Sequence, residues 1–154
     1  MNIQLIKATN SDAELLFAMQ VKAFKPLLRK HRDYDTNPAA ESIDKMMKKI
    51  NWIDGTYYKI LLNNLAVGGV FIYWKEYNVF RISPLYILPA YQGNGIAQKV
   101  LHQLEDMYPE ARSWELFTIF EEERNCYLYE KMGFIKTGPT KKINERATLI
   151  LYRK

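Results

Sequence analysis

The stretch Leu85-Tyr86-Ile87-Leu88-Pro89-Ala90-Tyr91-Gln92-Gly93-Asn94-Gly95-Ile96-Ala97 limits the fold more than any other part of the chain. An apolar run suited to a strand meets a short turn of small residues. From about Asn94 an amphipathic helix follows, predicted to turn Ile96, Val100, Leu101, Leu104 and Met107 inward and to stop at Pro109. The start of a helix leaves its first N–H groups unpaired and carries about half a positive charge, so it suits a phosphate. Gly93 and Gly95 have no side chain and would let a diphosphate approach the backbone. The same spacing also fits an ordinary tight strand-to-helix turn. A dinucleotide fingerprint would need a third glycine where Gln98 stands, and no G-K-[ST] of a Walker loop occurs.

Around this unit the period of the sequence changes twice. Ile3 to Lys7 reads as a first strand. Ser11-Asp12-Ala13-Glu14 reads as a capping box opening a helix with Leu15, Leu16, Met19 and Phe24. From Lys25 to Thr36 the apolar pattern fails, which predicts a loop or frayed turns. Asn37-Pro38 then supplies a cap and a first-turn proline for a helix carrying Ile43, Met46, Met47 and Ile50. Tyr57–Leu62 and Leu65–Trp74 are rich in β-branched and aromatic residues and flank Asn63-Asn64, a hairpin turn. Phe80–Leu88 is a further strand with Pro84 inside it, so it must be at an edge, bulged, or leaving a neighbour there. Trp114–Phe120 is a strand, Arg124–Met132 a helix ending at Gly133, and Phe134–Thr137 and Ala147–Tyr152 two closing strands. This order predicts an α/β (α+β) fold.

At 154 residues, against roughly 100–200 per domain, the chain is expected to form one domain over residues 1–154. Its apolar share of 48% and charged share of 25% exclude disordered and fibrous classes. No apolar run approaches the roughly 18 residues of a membrane span, and the N-terminus lacks the layout of a signal peptide. Cys126 is the only cysteine and cannot form an internal disulfide; together these predict a cytoplasmic protein. The net charge is +5, but the basic residues are scattered, with Lys48-Lys49 and Lys141-Lys142 the longest pairs. No nucleic-acid or membrane partner is expected.

Gln92, Gly95 and Ala97 fill the defined positions of Q/R-x-x-G-x-G/A. About thirty residues on comes Arg124-Asn125-Cys126-Tyr127-Leu128-Tyr129-Glu130-Lys131-Met132-Gly133-Phe134, in which a tyrosine precedes Glu-Lys-x-Gly-Phe. Together these resemble the two acyl-CoA motifs of the GCN5-related N-acetyltransferase (GNAT) superfamily, closely from Phe80 to Phe134 and in element order throughout. The resemblance implies a mixed, mostly antiparallel central sheet flanked by helices, whose fourth and fifth strands splay apart around a pantetheine arm. It implies acetyl-CoA as acyl donor, no metal, and transfer to the amine of a small molecule or peptide. On this resemblance the backbone of Leu85, Tyr86 and Ile87 pairs with pantetheine. The backbone of Gln92, Gly93, Asn94, Gly95, Ile96 and Ala97 wraps the diphosphate, and Asn125 bonds the pantetheine or thioester end. A non-catalytic acyl-CoA sensor of the same fold is the alternative, and fold analogy admits a homodimer.

Direct attack on a thioester needs a neutral amine, a stabilised oxyanion and a proton for the departing thiolate. Tyr129 is the candidate for the last: a phenol of pKa about 10 can protonate a thiolate whose thiol lies near 8.5 when the two are aligned. A backbone N–H near Tyr86–Ile87 could serve the oxyanion. No base is assigned. The fourth strand holds no carboxylate, Glu115 on the fifth reads as a solvated strand residue, and Glu76, Glu121 to Glu123 and a water chain to bulk are outside candidates. His31 is placed in a charged loop, His102 on an exposed helix face, and Cys126 in packing. Asp33, Tyr34 and Asp35 could hold a cationic acceptor, the surrounding lysines and arginines would suit an acidic one, and the stretch equally fits a solvated loop.

Overall fold

The computed structural model describes residues 1–154. The chain runs β1 (Ile3–Lys7), α1 (Ala13–His31), α2 (Ile43–Ile50), β2 (Gly55–Leu62), β3 (Leu65–Lys75), β4 (Val79–Ile87), α3 (Ile96–Met107), β5 (Ser113–Ile119), α4 (Glu123–Lys131), β6 (Ile135–Lys142) and β7 (Thr148–Arg153). All seven strands form one sheet in the order β1-β2-β3-β4-β5-β7-β6. Every pairing is antiparallel except β4 with β5, the two strands joined by a helical crossover.

Strand alternation explains how the helices are shared between two faces. Tyr57, Phe71 and Tyr86 face α1 and α2, packing with Leu16, Met19, Met46 and Ile50. Their neighbours Tyr58, Val70, Ile72 and Ile87 face α3 and α4, packing with Ile96, Val100, Leu101, Leu104, Cys126 and Met132. The hairpin at Asn63-Asn64 forms as expected, with φ of 49° and 70° at the two asparagines. No helix is long and apolar enough to cross a membrane.

Pro84 falls where β4 carries one extra residue, between the pairs Ile72–Ile82 and Val70–Leu85. A bulge is where a missing N–H does least harm. On the other edge β4 pairs with β5 only through Val79, Phe80 and Arg81, and beyond Arg81 the two strands separate. The expected splay is therefore present.

Four local expectations need correction. The segment from Lys25 is not a loop: α1 continues through Pro26 to His31 and ends at Arg32, whose φ is 53°. The apolar signal was diluted because this last stretch serves a cleft and the contact of His31 with Glu122 rather than the main core. The N-terminal box uses Thr9 and Asp12, with Asp12 Oδ2 accepting the Thr9 N–H at 2.8 Å, instead of Ser11 and Glu14. Asn37 caps only a single short turn, Pro38–Ala40, and Ser42 caps α2. Met107 is exposed, while Ile96, Val100, Leu101 and Leu104 of the same helix are buried.

Candidate active site

Where β4 leaves β5, the antiparallel ladder on its other side decides which amides are free. Leu88 donates its N–H to the Val67 carbonyl at 2.8 Å, so Leu88 and Tyr86 point their amides toward β3. The amide groups of Leu85 and Ile87 then lie on the open edge. Gln92 confirms this parity, since its side chain donates to the Ile87 carbonyl at 2.8 Å. One motif side chain thus covers a strand carbonyl that has lost its partner strand.

Next to this edge the chain turns into α3. Gly93 and Gly95 sit at φ of 82° and 79°, left-handed values that side chains disfavour. Gly95 is the residue before the first helical turn, and the first backbone bond back into the turn is Lys99 N–H to Gly95 carbonyl, at 3.2 Å. The amides ahead of Lys99 are those a helix start leaves without intrahelical partners. Arg124, at the start of α4, reaches over this loop: its guanidinium is 3.0 Å from where a Cβ on Gly93 would stand. A cation beside a helix N-terminus is a strong anion site. The sequence reading placed Arg124 in the motif without a role; its position over Gly93 depends on where α4 packs.

These parts line one cleft of about 410 Å³. Of the residues expected there, Leu85, Tyr86, Ile87, Gln92, Gly93, Gly95, Ile96, Ala97, Asn125 and Tyr129 all line it. Asn94 does not line it, and its side chain folds back to donate to the Tyr91 carbonyl at 3.2 Å. Tyr129 is half-buried, wedged edge-on against Phe134 and tilted against Tyr152, with ring centroids 5.8 and 6.1 Å away. Burial, with a smaller contribution from Cys126, pushes its phenol up to about 12. A phenol held this high keeps its proton at neutral pH.

The cleft also takes residues the sequence did not place there. Ala23, Phe24, Pro26 and Leu27 of α1 form one wall, and Glu122 lies in the lining beside Arg124 and Asn125. Glu122 Oε2 accepts from Lys30 Nζ at 2.7 Å and pairs with His31 Nε2 at 2.8 Å. Burial works against its charge, but the bonds from Lys30 and His31 outweigh it and hold the carboxyl below the usual range. His31 is not in a loop: it is the last residue of α1, only 2% exposed, with Nδ1 3.2 Å from the Arg146 carbonyl.

Other candidates fall away from the cleft. Glu115 is 1% exposed, not solvated, and is held by Lys75, Arg81 and Arg153. Burial opposes its charge, but hydrogen bonds from Arg153, Arg81 and Lys75 outweigh this and hold the carboxyl at about 2. Such a group takes up no proton near neutrality, so it is no base. Asp33 is buried and accepts from Asn37 at 3.1 Å, while Tyr34 and Asp35 are exposed; none of the three lines the cleft. Cys126 is buried, which raises its thiol pKa, consistent with packing. No group of three or more His, Cys, Asp or Glu residues is arranged to hold a metal ion.

The profile of the acetyltransferase (GNAT) family matches residues 25–134, well over half of the chain. The chain belongs to the acetyltransferase (GNAT) family. It is therefore an acyltransferase, with acetyl-CoA as the acyl donor. Solved structures agree on the fold. The PaiA N-acetyltransferase of Thermoplasma acidophilum, in complex with coenzyme A, superposes with a TM-score of 0.80 at 15% identity, covering 100% of both chains. Spermidine N-acetyltransferase of Vibrio cholerae, in complex with CoA and spermine, has a TM-score of 0.78 at 17% identity, covering 99% of this chain and 94% of the other. The ribosomal-protein-S18-alanine N-acetyltransferase of Escherichia coli has a TM-score of 0.78 at 12% identity, covering 99% and 92%. No curated protein sequence matches the chain.

Proposed function

We propose that residues 1–154 act as one N-acetyltransferase domain that moves the acetyl group of acetyl-CoA directly to a primary amine. The observation that carries this reading is the convergence of three things in one cleft: the free edge of β4 at Leu85 and Ile87, the α3 entry turn with Arg124, and the Tyr129 phenol. In this reading the β4 edge from Leu85 to Ile87 takes the pantetheine arm as a strand would. The backbone of Gln92 to Ala97 and the Arg124 guanidinium take the diphosphate, and Asn125 bonds the pantetheine near the thioester.

The neutral amine attacks the thioester carbonyl, forming a C–N bond as the carbonyl electrons move to oxygen. Of the two open-edge N–H groups, that of Leu85 lies farther from the diphosphate turn and suits the oxyanion, leaving the Ile87 N–H to pantetheine. Collapse breaks the C–S bond, the Tyr129 O–H protonates the leaving thiolate, and the amine's surplus proton restores the phenol through solvent. Buried Cys126 fits a reducing, cytoplasmic setting.

The test is thiol release from acetyl-CoA with a panel of amines, for the parent and for Tyr129→Phe. The variant is expected to lose about 10²–10⁴-fold in kcat, the usual span of general acid help, with acetyl-CoA affinity within twofold. An unchanged kcat removes Tyr129 from the mechanism. Binding of acetyl-CoA without turnover of any amine would favour a sensor over an enzyme.

A further inference from the structure

The cleft has a part that the donor does not need. Once the β4 edge, the α3 turn, Arg124, Asn125 and Tyr129 are given to acetyl-CoA, the remaining lining includes the α1 wall of Phe24, Pro26 and Leu27, the α4 residues Tyr127 and Leu128, and Glu122, the one acidic residue in the lining. Phe24 stands edge-on to Tyr86, with ring centroids 5.9 Å apart, so the wall is fixed against β4. Glu122 is fixed as well. Both of its protein bonds fall on Oε2, from Lys30 and His31, and no protein group bonds Oε1. The His31 ring is buried between that oxygen and the Arg146 carbonyl, so it holds the carboxylate in place without reaching the cleft.

A pinned carboxylate with one free oxygen, beside the apolar α1 wall, is complementary to an ammonium on an apolar frame. We propose that this α1–Glu122 corner is the acceptor subsite and that it selects primary amines on an aromatic or branched aliphatic frame, with Glu122 Oε1 holding the incoming ammonium, which gives one proton to solvent before the neutral amine attacks. This rests on the acetyl-transfer reading above. Acidic amines would face Glu122 unfavourably. Polycations would leave their distal charges against Phe24 and Leu27. The same chemistry is offered by a free arylalkylamine and by a peptide with an N-terminal phenylalanine.

The experiment measures thiol release with phenethylamine, with a short peptide beginning in Phe, with spermidine and with glutamate. The variants are Glu122→Gln and Leu27→Ala. Phenethylamine or the Phe-peptide is expected to have the highest kcat/KM, and the ratio of the two identifies the source. Glu122→Gln, which keeps the shape and an acceptor for Lys30, is expected to raise the KM for the preferred amine by about 10–100-fold, the worth of a charged hydrogen bond. The KM for acetyl-CoA should stay within twofold. Inhibition by 2-phenylethanol, which has no charge to lose, should be the same in the variant and the parent; a role confined to tying α1 to α4 would weaken amine and alcohol alike. Leu27→Ala is expected to raise the KM for phenethylamine more than for ethylamine, which keeps a readout if Glu122→Gln folds poorly. Preference for spermidine or glutamate, or an unchanged amine KM in Glu122→Gln, overturns the assignment. So does failure of both aromatic amines to react or bind while acetyl-CoA still stabilises the protein, an outcome that leaves the donor reading standing. If acetyl-CoA itself fails to bind, both readings fall.

Discussion

At the level of single residues, Glu115 shows how charge type and placement separate. A strand carboxylate among lysines and arginines reads as surface decoration, but here β3, β4 and β7 each bring one cation to it. Its folded pKa of about 2 lies below the ordinary 4.5, so the stabilisation is fully present above about pH 4.5 and is lost as pH falls toward 2. Glu115→Gln is expected to destabilise the protein at pH 7 by about 2 kcal/mol. That is less than the roughly 3–5 kcal/mol of a fully buried pair, because two of the three cations are half exposed and screened. Urea melts at pH 7, 4 and 2.5 check this: the gap between variant and parent should close across that window, and a gap constant with pH would deny the depressed pKa. Tyr129 and Glu115 could both be named from the chain, but their environments could not. One phenol among eleven and one glutamate among many are distinguished only by what surrounds them.

Among the elements, the β4–turn–α3 unit was the most legible. Its signals are local: an apolar run, two glycines, and an apolar stripe of helical period. The glycines at 93 and 95 were expected for close approach, and their left-handed φ values supply a second reason for them. Gly93→Ala is expected to weaken acetyl-CoA binding about tenfold. An alanine at φ near 82° costs about 1–2 kcal/mol, and its Cβ would press on Arg124 at 3.0 Å. Isothermal titration checks it; an unchanged Kd would mean that the loop and Arg124 do not bear on the diphosphate. The C-terminal end of α1 was the least legible. Its residues Phe24, Pro26 and Leu27 face a cleft and His31 the half-buried Glu122 carboxylate, so the segment shows no clean stripe and its proline argues against a helix interior.

For the whole molecule, the cleft joins α1, β4, α3 and α4, so a ligand filling it links elements far apart in sequence. Acetyl-CoA at about 100 times its Kd is expected to stabilise the fold by about 2.7 kcal/mol. That raises Tm by about 5–10 °C for a domain of this size, with no comparable shift from NADH or ATP. A thermal melt reads this directly, and equal shifts with all three ligands would point to a general phosphate site. The element order, the interruption of β4 at Pro84 and the β4–turn–α3 unit follow from short-range patterns that survive in one dimension, because strand alternation, helical period and turn chemistry act over a few residues. The splay and the acetyl-CoA site came from the motif resemblance. The contacts between distant segments do not follow from short-range patterns. His31 and Glu122 are 91 positions apart, Glu115 and its Arg153 partner 38, and Arg124 meets Gly93 only because α4 packs beside α3. Such pairings carry no local signature. They come from sheet order and helix packing, which bring distant charges together and set how far each is shielded from water.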